Sequence, residues 1–212
     1  MAMNLVKLPT GKPNLQLRVS KGHYATSHSH INYYIDVTLT KFRLSEARAA
    51  AAELVRAYKS TTIVDTILCL DGTEVIGACM ASELTKAGYT NMNAHQTIYV
   101  VTPEHTTGSQ LLFRENTAPM IAGKHVLVLA ASVTTGYTVQ GAVEAIRYYG
   151  GDPAGIAAIF ASVKECADYP VASIFDPHDL PDYETYDAHN CPWCRQGKKI
   201  DALVNSFGYS SL

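Results

Sequence analysis

The sequence predicts an α/β fold: a parallel sheet flanked by helices, with a small N-terminal cap. Three observations lead to this prediction. Short apolar runs recur along the chain, and several are followed by stretches whose apolar residues have helical spacing. Strands that alternate with helices of this length form parallel sheets, because each crossover helix covers a face of the sheet. The chain has 212 residues, 47% of them hydrophobic, which is enough for one α/β domain with a complete core.

The individual elements follow from the same patterns. Residues 1–14 contain Pro9, Gly11 and Pro13, and we expect them to form an arm. Strands are predicted over residues 15–20, 33–39, 63–70, 97–101, 124–131, 155–161 and 171–175. Helices are predicted over residues 45–58 with Ser45 as N-cap, over 73–87 before Gly88, and over 139–149 before Gly150. The long connection at 103–123 contains a hairpin arm at 110–114.

We expect a single domain over residues 1–212. Residues 1–40 form the N-terminal arm and cap strands, and residues 41–175 form the α/β core. Residues 176–212 form a C-terminal tail that contains Cys191-Pro192-Trp193-Cys194. We assign no chemistry to its turn-rich end at residues 205–210.

Composition excludes several classes of partner. The net charge of −2 gives no electrostatic reason to expect binding to nucleic acid or to an acidic membrane. The N-terminal apolar run is broken at Lys7 and Pro9, so it does not form a secretory signal, and no apolar stretch is long enough to span a bilayer. Five cysteines, an odd number, indicate reduced thiols in a cytoplasmic protein.

Residues 126–138 read Val-Leu-Val-Leu-Ala-Ala-Ser-Val-Thr-Thr-Gly-Tyr-Thr, an apolar strand that turns through small residues into a helix. A helix N-terminus offers free backbone N–H groups and partial positive charge, and both attract an anion. The pattern predicts a phosphate-binding loop formed by Ser132, Thr134, Thr135, Gly136, Tyr137 and Thr138. An ordinary strand–loop–helix junction capped by threonine accounts for the same residue types. The Tyr137 ring either walls this site, stacks on a base or points into a contact between subunits.

The same segment resembles the 5-phosphoribosyl-1-pyrophosphate (PRPP) motif of the type I phosphoribosyltransferases. That motif has four apolar residues, two acids, two variable residues and then Thr-Thr-Gly-x-Thr/Ser, which match residues 126–129, 132–133 and 134–138 here. Residues 26–36, Thr-Ser-His-Ser-His-Ile-Asn-Tyr-Tyr-Ile-Asp, are similar to an N-terminal element of the orotate phosphoribosyltransferase branch. Cys191-Pro-Trp-Cys194 with Gly197 looks like a tail of some members. The similarity extends over residues 17–205.

The resemblance implies an orotate-phosphoribosyltransferase-type enzyme of nucleotide metabolism, which transfers phosphoribosyl from PRPP to a nitrogen base. It implies a small phosphorylated ligand, either PRPP or a nucleoside monophosphate, and a homodimer. Residues 132–138 would hold the 5′-phosphate, and Asp71, Gly72 and Thr73 would line the pyrophosphate side, with Mg²⁺ as intermediary. His105 and Arg114 would be catalytic cations of a mobile loop, and His28 and His30 would face the base. We expect His23 to lie in a solvated loop.

Three features depart from the family pattern. Ala130 and Ala131 stand where the family has two acids that hold the ribose hydroxyls, and charge-assisted hydrogen bonds of that kind contribute on the order of 1.5–3 kcal/mol each. Asp71 places a negative charge beside the pyrophosphate, and residues 102–118 contain no lysine. Two other functions therefore stay open: a non-catalytic sensor of a nucleotide or phosphorylated ligand, and a different transfer reaction that does not need the acid pair.

Cys191 and Cys194 have the spacing of a zinc ligand pair. His189 would be a third ligand, and His178 or Cys166 a fourth. The other interpretation, which the sequence favours, is that the two cysteines pack a tight Pro-Trp turn without metal.

Overall fold

The structure is a computed structural model that describes residues 3–94, 96–106 and 110–212. The strands are β1 (Val6–Leu8), β2 (Leu17–Ala25), β3 (Ser29–Asp36), β4 (Thr66–Cys69), β5 (Tyr99–Val101), β6 (Glu104–His105), β7 (Leu111–Leu112), β8 (His125–Val133), β9 (Asp152–Ala161), β10 (Glu165–Cys166), β11 (Tyr169–Phe175), β12 (Thr185–Asp187), β13 (Ala202–Asn205) and β14 (Gly208–Ser211). The α-helices are α1 (Thr38–Phe42), α2 (Leu44–Leu54), α3 (Glu74–Leu84), α4 (Tyr137–Tyr148) and α5 (Pro192–Arg195).

The first large sheet, here called the core sheet, has the strand order β10-β11-β9-β8-β4-β5. Its neighbouring strands are parallel except for the short antiparallel edge strand β10. Alternate residues of β8 face opposite sides, so that Leu127 and Leu129 pack with α2 and α3, whereas Val126 and Val128 pack with α4. Helices therefore cover both faces of a parallel sheet, and the predicted fold class is confirmed.

The second large sheet, here called the cap sheet, has the order β12-β3-β2-β13-β14, with β1 paired to the beginning of β2. It combines strands from both ends of the chain. The predicted C-terminal tail thus supplies three strands, and the predicted arm supplies β1. A 3-10 turn at Ala188–Asn190 and helix α5 connect β12 to β13.

The cap sheet is attached to the core by apolar packing and by a buried ion pair. Leu17 and Tyr33 of the cap share one hydrophobic cluster with Ile67 and Leu129 of the core. The Arg18 guanidinium on β2 donates to both carboxylate oxygens of Glu46 on α2, at 2.9 and 2.7 Å. This hydrogen bond to Glu46 raises the pKa of Arg18 even though burial opposes it. The guanidinium therefore keeps its charge within the protein.

Two element predictions were wrong near the cap. Residues 38–42 form α1, although the sequence pattern extended the preceding strand to residue 39. Ser45 does not cap α2, because the helix already begins at Leu44 and its N-cap residue is Arg43. Among the described residues, none of the helices combines the length and apolarity needed to cross a membrane.

Candidate functional site

The predicted phosphate loop lies between the end of β8 and the start of α4. Residues 134–135 bend the chain, and Gly136 is the N-cap of α4 with a left-handed φ of +82°. A Cβ atom at this position would lie 2.7 Å from the Cys166 sulfur, so both the backbone conformation and the close approach require glycine. The first turn of α4 directs its unpaired N–H groups into this loop, which is the geometry that binds anions in other proteins.

A cavity of about 180 Å³ opens in front of this loop. Four loop residues line it: Ser132, Thr134, Thr135 and Thr138. The opposite wall belongs to the cap, with residues 26–28 of the β2–β3 turn and Asn205 and Ser206 of the β13–β14 turn. The cavity is thus formed jointly by the core and the cap.

Several aromatic side chains lie in or next to the cavity wall, among them His28, Tyr137 and Tyr183. The His28 ring on the cap lines the cavity and lies 5.0 Å from the Tyr137 ring at the start of α4, whereas Tyr137 itself is not among the lining residues. The buried Tyr183 hydroxyl makes no well-formed hydrogen bond within the described part of the chain. Burial raises the pKa of Tyr183 to about 12, although the nearby Ser162 side chain lowers it, so the hydroxyl keeps its proton and can donate it to a ligand.

Asp71 carries the one carboxylate among the described residues that line the cavity. Its backbone is left-handed, with φ of +59°, and two hydrogen bonds orient its side chain. Oδ1 accepts from the Ser206 hydroxyl at 2.9 Å, and Oδ2 accepts from the Ala131 N–H at 3.4 Å. A carboxylate held in this way can receive a divalent cation together with ligand phosphates.

Gly72 and Thr73 do not line the cavity with Asp71. Thr73 is fully buried, and its hydroxyl donates to the carbonyls of Leu70 and Leu129 at 2.8 and 3.2 Å. Its side chain therefore anchors the loop that presents Asp71. Gly72 adopts φ of +76°, which lets the chain turn into α3.

Lys41 on α1 holds the loop of Asp71 in place, although the sequence analysis gave this residue no role. Its ammonium group is buried and donates to the carbonyls of Asp71 and Ser206, each at 2.7 Å. Burial lowers the pKa of Lys41, although Asp71 and other acids oppose this. Lys41 thus connects the loop of Asp71 to the β13–β14 turn at Ser206. The three residues are far apart in sequence, so no local sequence pattern could have revealed this contact.

Ala130 and Ala131 are both buried, and they face opposite sides of the core sheet. Neither side chain lines the cavity. Acids at these positions would have to enter well-packed apolar clusters, which is costly for a charged group.

His105 lies on β6 of the two-stranded β6–β7 hairpin, and Arg114 lies two residues beyond the end of β7. The Arg114 guanidinium binds both carboxylate oxygens of Glu104, and neither His105 nor Arg114 lines the cavity. The hairpin that was expected at residues 110–114 exists, and residues 107–109 lie outside the described part.

His30 and His23 have different surroundings from those expected. His23 is fully buried rather than solvated, and His30 is buried beside it with 3.2 Å between His23 Nε2 and His30 Nδ1. Both rings face Cys191 and Cys194 on α5. Of the two predicted base-side histidines, the structure therefore places His28 at the cavity and His30 in a separate cluster.

The other residues named as metal ligands lie elsewhere. His178 is exposed and its ring contacts Asp176, and His189 is exposed on the 3-10 turn before α5. Cys166 packs against Gly136 of the phosphate loop. Within the zinc alternative, His189 and either His178 or Cys166 were the expected partners of the cysteine pair. None of these three lies in the cluster, because the folded cap brings His23 on β2 and His30 on β3 to the cysteines instead.

Solved structures with the same architecture come from several organisms. An orotate phosphoribosyltransferase from Mycobacterium tuberculosis H37Rv superposes with a TM-score of 0.54 at 17% identity, over 77% of this chain and 92% of that chain. An orotate phosphoribosyltransferase from Aeropyrum pernix superposes with a TM-score of 0.53 at 16% identity, over 74% of this chain and 87% of that chain. This chain has the phosphoribosyltransferase fold.

A phosphoribosyltransferase from Corynebacterium diphtheriae has a similar structure. It superposes with a TM-score of 0.50 at 20% identity, over 76% of this chain and 90% of that chain. The M. tuberculosis enzyme has also been solved in complex with PRPP. No protein-family profile matches the chain, and no curated protein matches its sequence. Identities this low establish the phosphoribosyltransferase fold without specifying the ligand.

Proposed function

We propose that this chain binds the 5′-phosphate of a phosphoribosyl compound in the loop at residues 132–138. One observation carries the proposal: the threonine loop at the start of α4 opens into a cavity that also holds a positioned carboxylate and a wall from the cap. The loop supplies backbone N–H groups and hydroxyls to the phosphate, and the cap side leaves room for the sugar and base.

The reaction this fold would support is the transfer of phosphoribosyl from PRPP to a nitrogen base, as in an orotate-type phosphoribosyltransferase. The base nitrogen forms a bond to C1 of the ribose, the bond from C1 to the pyrophosphate oxygen breaks, and pyrophosphate leaves with the electron pair. The N–H proton of the base passes to the leaving pyrophosphate or to water. Catalysis of this kind depends mainly on positioning and on charge stabilisation.

Specific residues would take part in that reaction. Thr134, Thr135 and Thr138 would hold the 5′-phosphate, and His28 with Tyr183 would contact the base. Mg²⁺ would supply positive charge at the pyrophosphate, and the Asp71 carboxylate is the group that fits it. The remaining side chains of the cavity would exclude water from the ribose.

A second candidate function is a non-catalytic sensor of a nucleotide. Two observations favour it. The described residues that line the cavity include neither lysine nor arginine, and the nearby Lys41 ammonium already donates to the Asp71 and Ser206 carbonyls, so a pyrophosphate at Asp71 would contact no cationic side chain in the cavity wall. Ala130 and Ala131 cannot hold the ribose hydroxyls. A nucleoside monophosphate avoids the first problem, and we expect it to bind more tightly than PRPP.

Calorimetry with the full-length chain tests these proposals. The titrants are inorganic phosphate, UMP, AMP and PRPP, the last with and without Mg²⁺. Binding of any of these compounds supports the phosphate site. If none of them binds at millimolar concentration, the phosphate site is overturned. Tight Mg²⁺-dependent PRPP binding, together with pyrophosphate release in the presence of orotate or adenine, supports the transferase and overturns the sensor.

We also propose that the protein works as a cytoplasmic homodimer. The five cysteines are unpaired in the structure, in agreement with a reducing compartment. Large side chains such as Tyr148 and Phe207 are exposed and could contribute to a subunit contact. Light scattering coupled to gel filtration measures the mass, and a monomer at micromolar concentration contradicts the dimer.

A further inference from the structure

We propose that His23, His30, Cys191 and Cys194 bind one Zn²⁺ in a closed structural site. The four donor atoms of these residues all lie within 4.8 Å of one another. His23, His30 and Cys191 are buried, and Cys194 lies at the surface of the cluster. Two imidazoles and two thiols form one of the common ligand sets of structural zinc.

The distances match the edges of a tetrahedron around a single ion. With zinc bonds of about 2.0–2.1 Å to nitrogen and about 2.3 Å to sulfur, the ligand atoms of a tetrahedral site are separated by about 3.3–3.8 Å. His23 Nε2 is 3.2 Å from His30 Nδ1, 3.6 Å from the Cys191 sulfur and 3.7 Å from the Cys194 sulfur. The Cys194 sulfur is 3.3 Å from His30 Nδ1.

The orientation of His23 is fixed by its other ring nitrogen. His23 Nδ1 is 3.1 Å from the backbone carbonyls of both Lys198 and Lys199. Carbonyl oxygens can only accept, so Nδ1 carries the proton and Nε2 presents a lone pair to the cluster. A backbone carbonyl behind a ligating histidine is a recurring arrangement in metal sites, where it sets the tautomer and orients the ring.

Local backbone features bring the ligands together. The β2–β3 pairing is irregular between Lys21 and Tyr24, and such a bulge changes the direction of the side chains within it. The His23 N–H donates to the Asp201 carboxylate at 2.7 Å, which holds the bulge next to β13. The single turn of α5 places Cys191 and Cys194 on the same side, and Trp193 packs edge-on against the His23 ring.

The geometry favours one zinc ion over other inorganic groups. A two-iron cluster would separate the histidine pair from the cysteine pair by the length of the cluster, whereas these donors share one small space. Soft thiolates with imidazoles do not suit Mg²⁺ or Ca²⁺, which prefer oxygen ligands. Four protein ligands leave no open position for substrate, so the site would be structural.

The proposed zinc site would connect three parts of the cap: β2, β3 and α5. His23 and His30 flank the β2–β3 turn, whose residues 26–28 line the cavity. Zinc would therefore keep this turn in place above the phosphate loop. That last consequence rests on the proposed function, whereas the metal site itself does not.

Metal analysis of the full-length protein, loaded with Zn²⁺ and dialysed, tests the site. We expect about one zinc ion per chain in the wild type. Cys194→Ser should weaken zinc binding by roughly tenfold or more, since it removes a ligand at the exposed edge of the cluster. Cys166→Ser and His189→Gln are the matched controls, because these residues lie outside the cluster, and both should keep about one zinc ion.

Cobalt binding provides a second measurement, which uses only the wild-type chain and so does not require any variant to fold. Co²⁺ added to the metal-free wild type should give the intense visible bands of tetrahedral cobalt and a thiolate-to-metal charge-transfer band. Either a wild-type protein without stoichiometric zinc and without these bands, or a Cys191–Cys194 disulfide in the freshly purified chain, overturns the proposal. Equal zinc binding by Cys194→Ser and the wild type does so as well.

The zinc and phosphate proposals can fail separately. If the chain binds UMP but no zinc, only the proposed metal site is contradicted. If it binds zinc but none of the phosphates, only the proposed function is contradicted.

Discussion

The core sheet and the cap sheet are built from the chain in opposite ways. All strands of the core sheet lie between residues 66 and 175, with α3 between β4 and β5 and α4 between β8 and β9. The cap sheet joins strands from residues 6–36 to strands from residues 185–211. The candidate ligand site lies where the two meet, with the phosphate loop on the core and the opposite wall on the cap. Binding at this candidate site would therefore depend on contacts between distant parts of the sequence.

The largest expected effect comes from breaking the buried pair that joins the two regions. Glu46→Gln leaves the Arg18 guanidinium buried without a counter-charge, and the side chains of the pair are only 7% and 6% exposed. We expect the free energy of unfolding to fall by about 3–5 kcal/mol, as measured by urea denaturation.

Glu53→Gln is the matched control, because its partner Arg56 has 74% of its side chain exposed. We expect this change to cost no more than about 1 kcal/mol. Similar losses for the two variants would mean that the Arg18–Glu46 pair does not hold the cap to the core.

The next effect concerns the phosphate loop on the core side. Gly136→Ala places a side chain at positive φ and brings its Cβ to 2.7 Å from the Cys166 sulfur. We expect a loss of about 1–3 kcal/mol in the free energy of unfolding, together with weaker UMP binding. Adding Cys166→Ala should recover the steric part of the loss, while the backbone part remains.

Gly141→Ala is the control within α4, where an added Cβ would contact nothing within 4 Å. We expect it to be neutral or to stabilise the chain by up to about 1 kcal/mol, because alanine is the better helix former. If Gly136→Ala were equally harmless, the loop would not have the tight conformation described.

A smaller effect is expected on affinity alone. Thr138→Val removes a cavity-lining hydroxyl from the first turn of α4. We expect UMP to bind roughly tenfold more weakly or worse, since one hydrogen bond to a charged group contributes about 1.5–3 kcal/mol. Calorimetry measures this change, and Thr61→Val on the surface is the control. Unchanged affinity in Thr138→Val would exclude this hydroxyl from phosphate binding.

The smallest effect on stability is expected at Tyr183 on the cap side. Its hydroxyl is buried without a well-formed hydrogen bond among the described residues, so Tyr183→Phe should change the free energy of unfolding by less than about 0.5 kcal/mol. We expect weaker binding of UMP with unchanged binding of inorganic phosphate, because Tyr183 would contact the base. A loss for both ligands would place this hydroxyl at the phosphate instead.

The contrast between the regions also explains what the sequence could reveal. The strand at residues 125–133 and the glycine before α4 are recognisable because their pattern is contiguous, and the predicted α/β class followed from such segments. The roles of Lys41 and Ser206 beside Asp71 were missed because Lys41 lies on α1 and Ser206 follows β13, and only the folded chain brings them to the loop after β4.

The histidines show the same limit. The Cys191–Cys194 spacing is visible in the sequence, but its neighbours His23 and His30 lie more than 160 residues away. Local spacing pointed to His189 and His178 instead. A buried histidine within a strand pattern was the available signal, since residues of β2 on either side of His23 are apolar or small.

The central claim is that the loop at residues 132–138 binds a phosphate group, and a crystal structure of the full chain with UMP tests it most directly. The account predicts phosphate density within hydrogen-bonding distance of the backbone N–H groups of residues 134–138 and of the Thr138 hydroxyl. A cavity without nucleotide at saturating UMP, or a phosphate bound away from this loop, would contradict it.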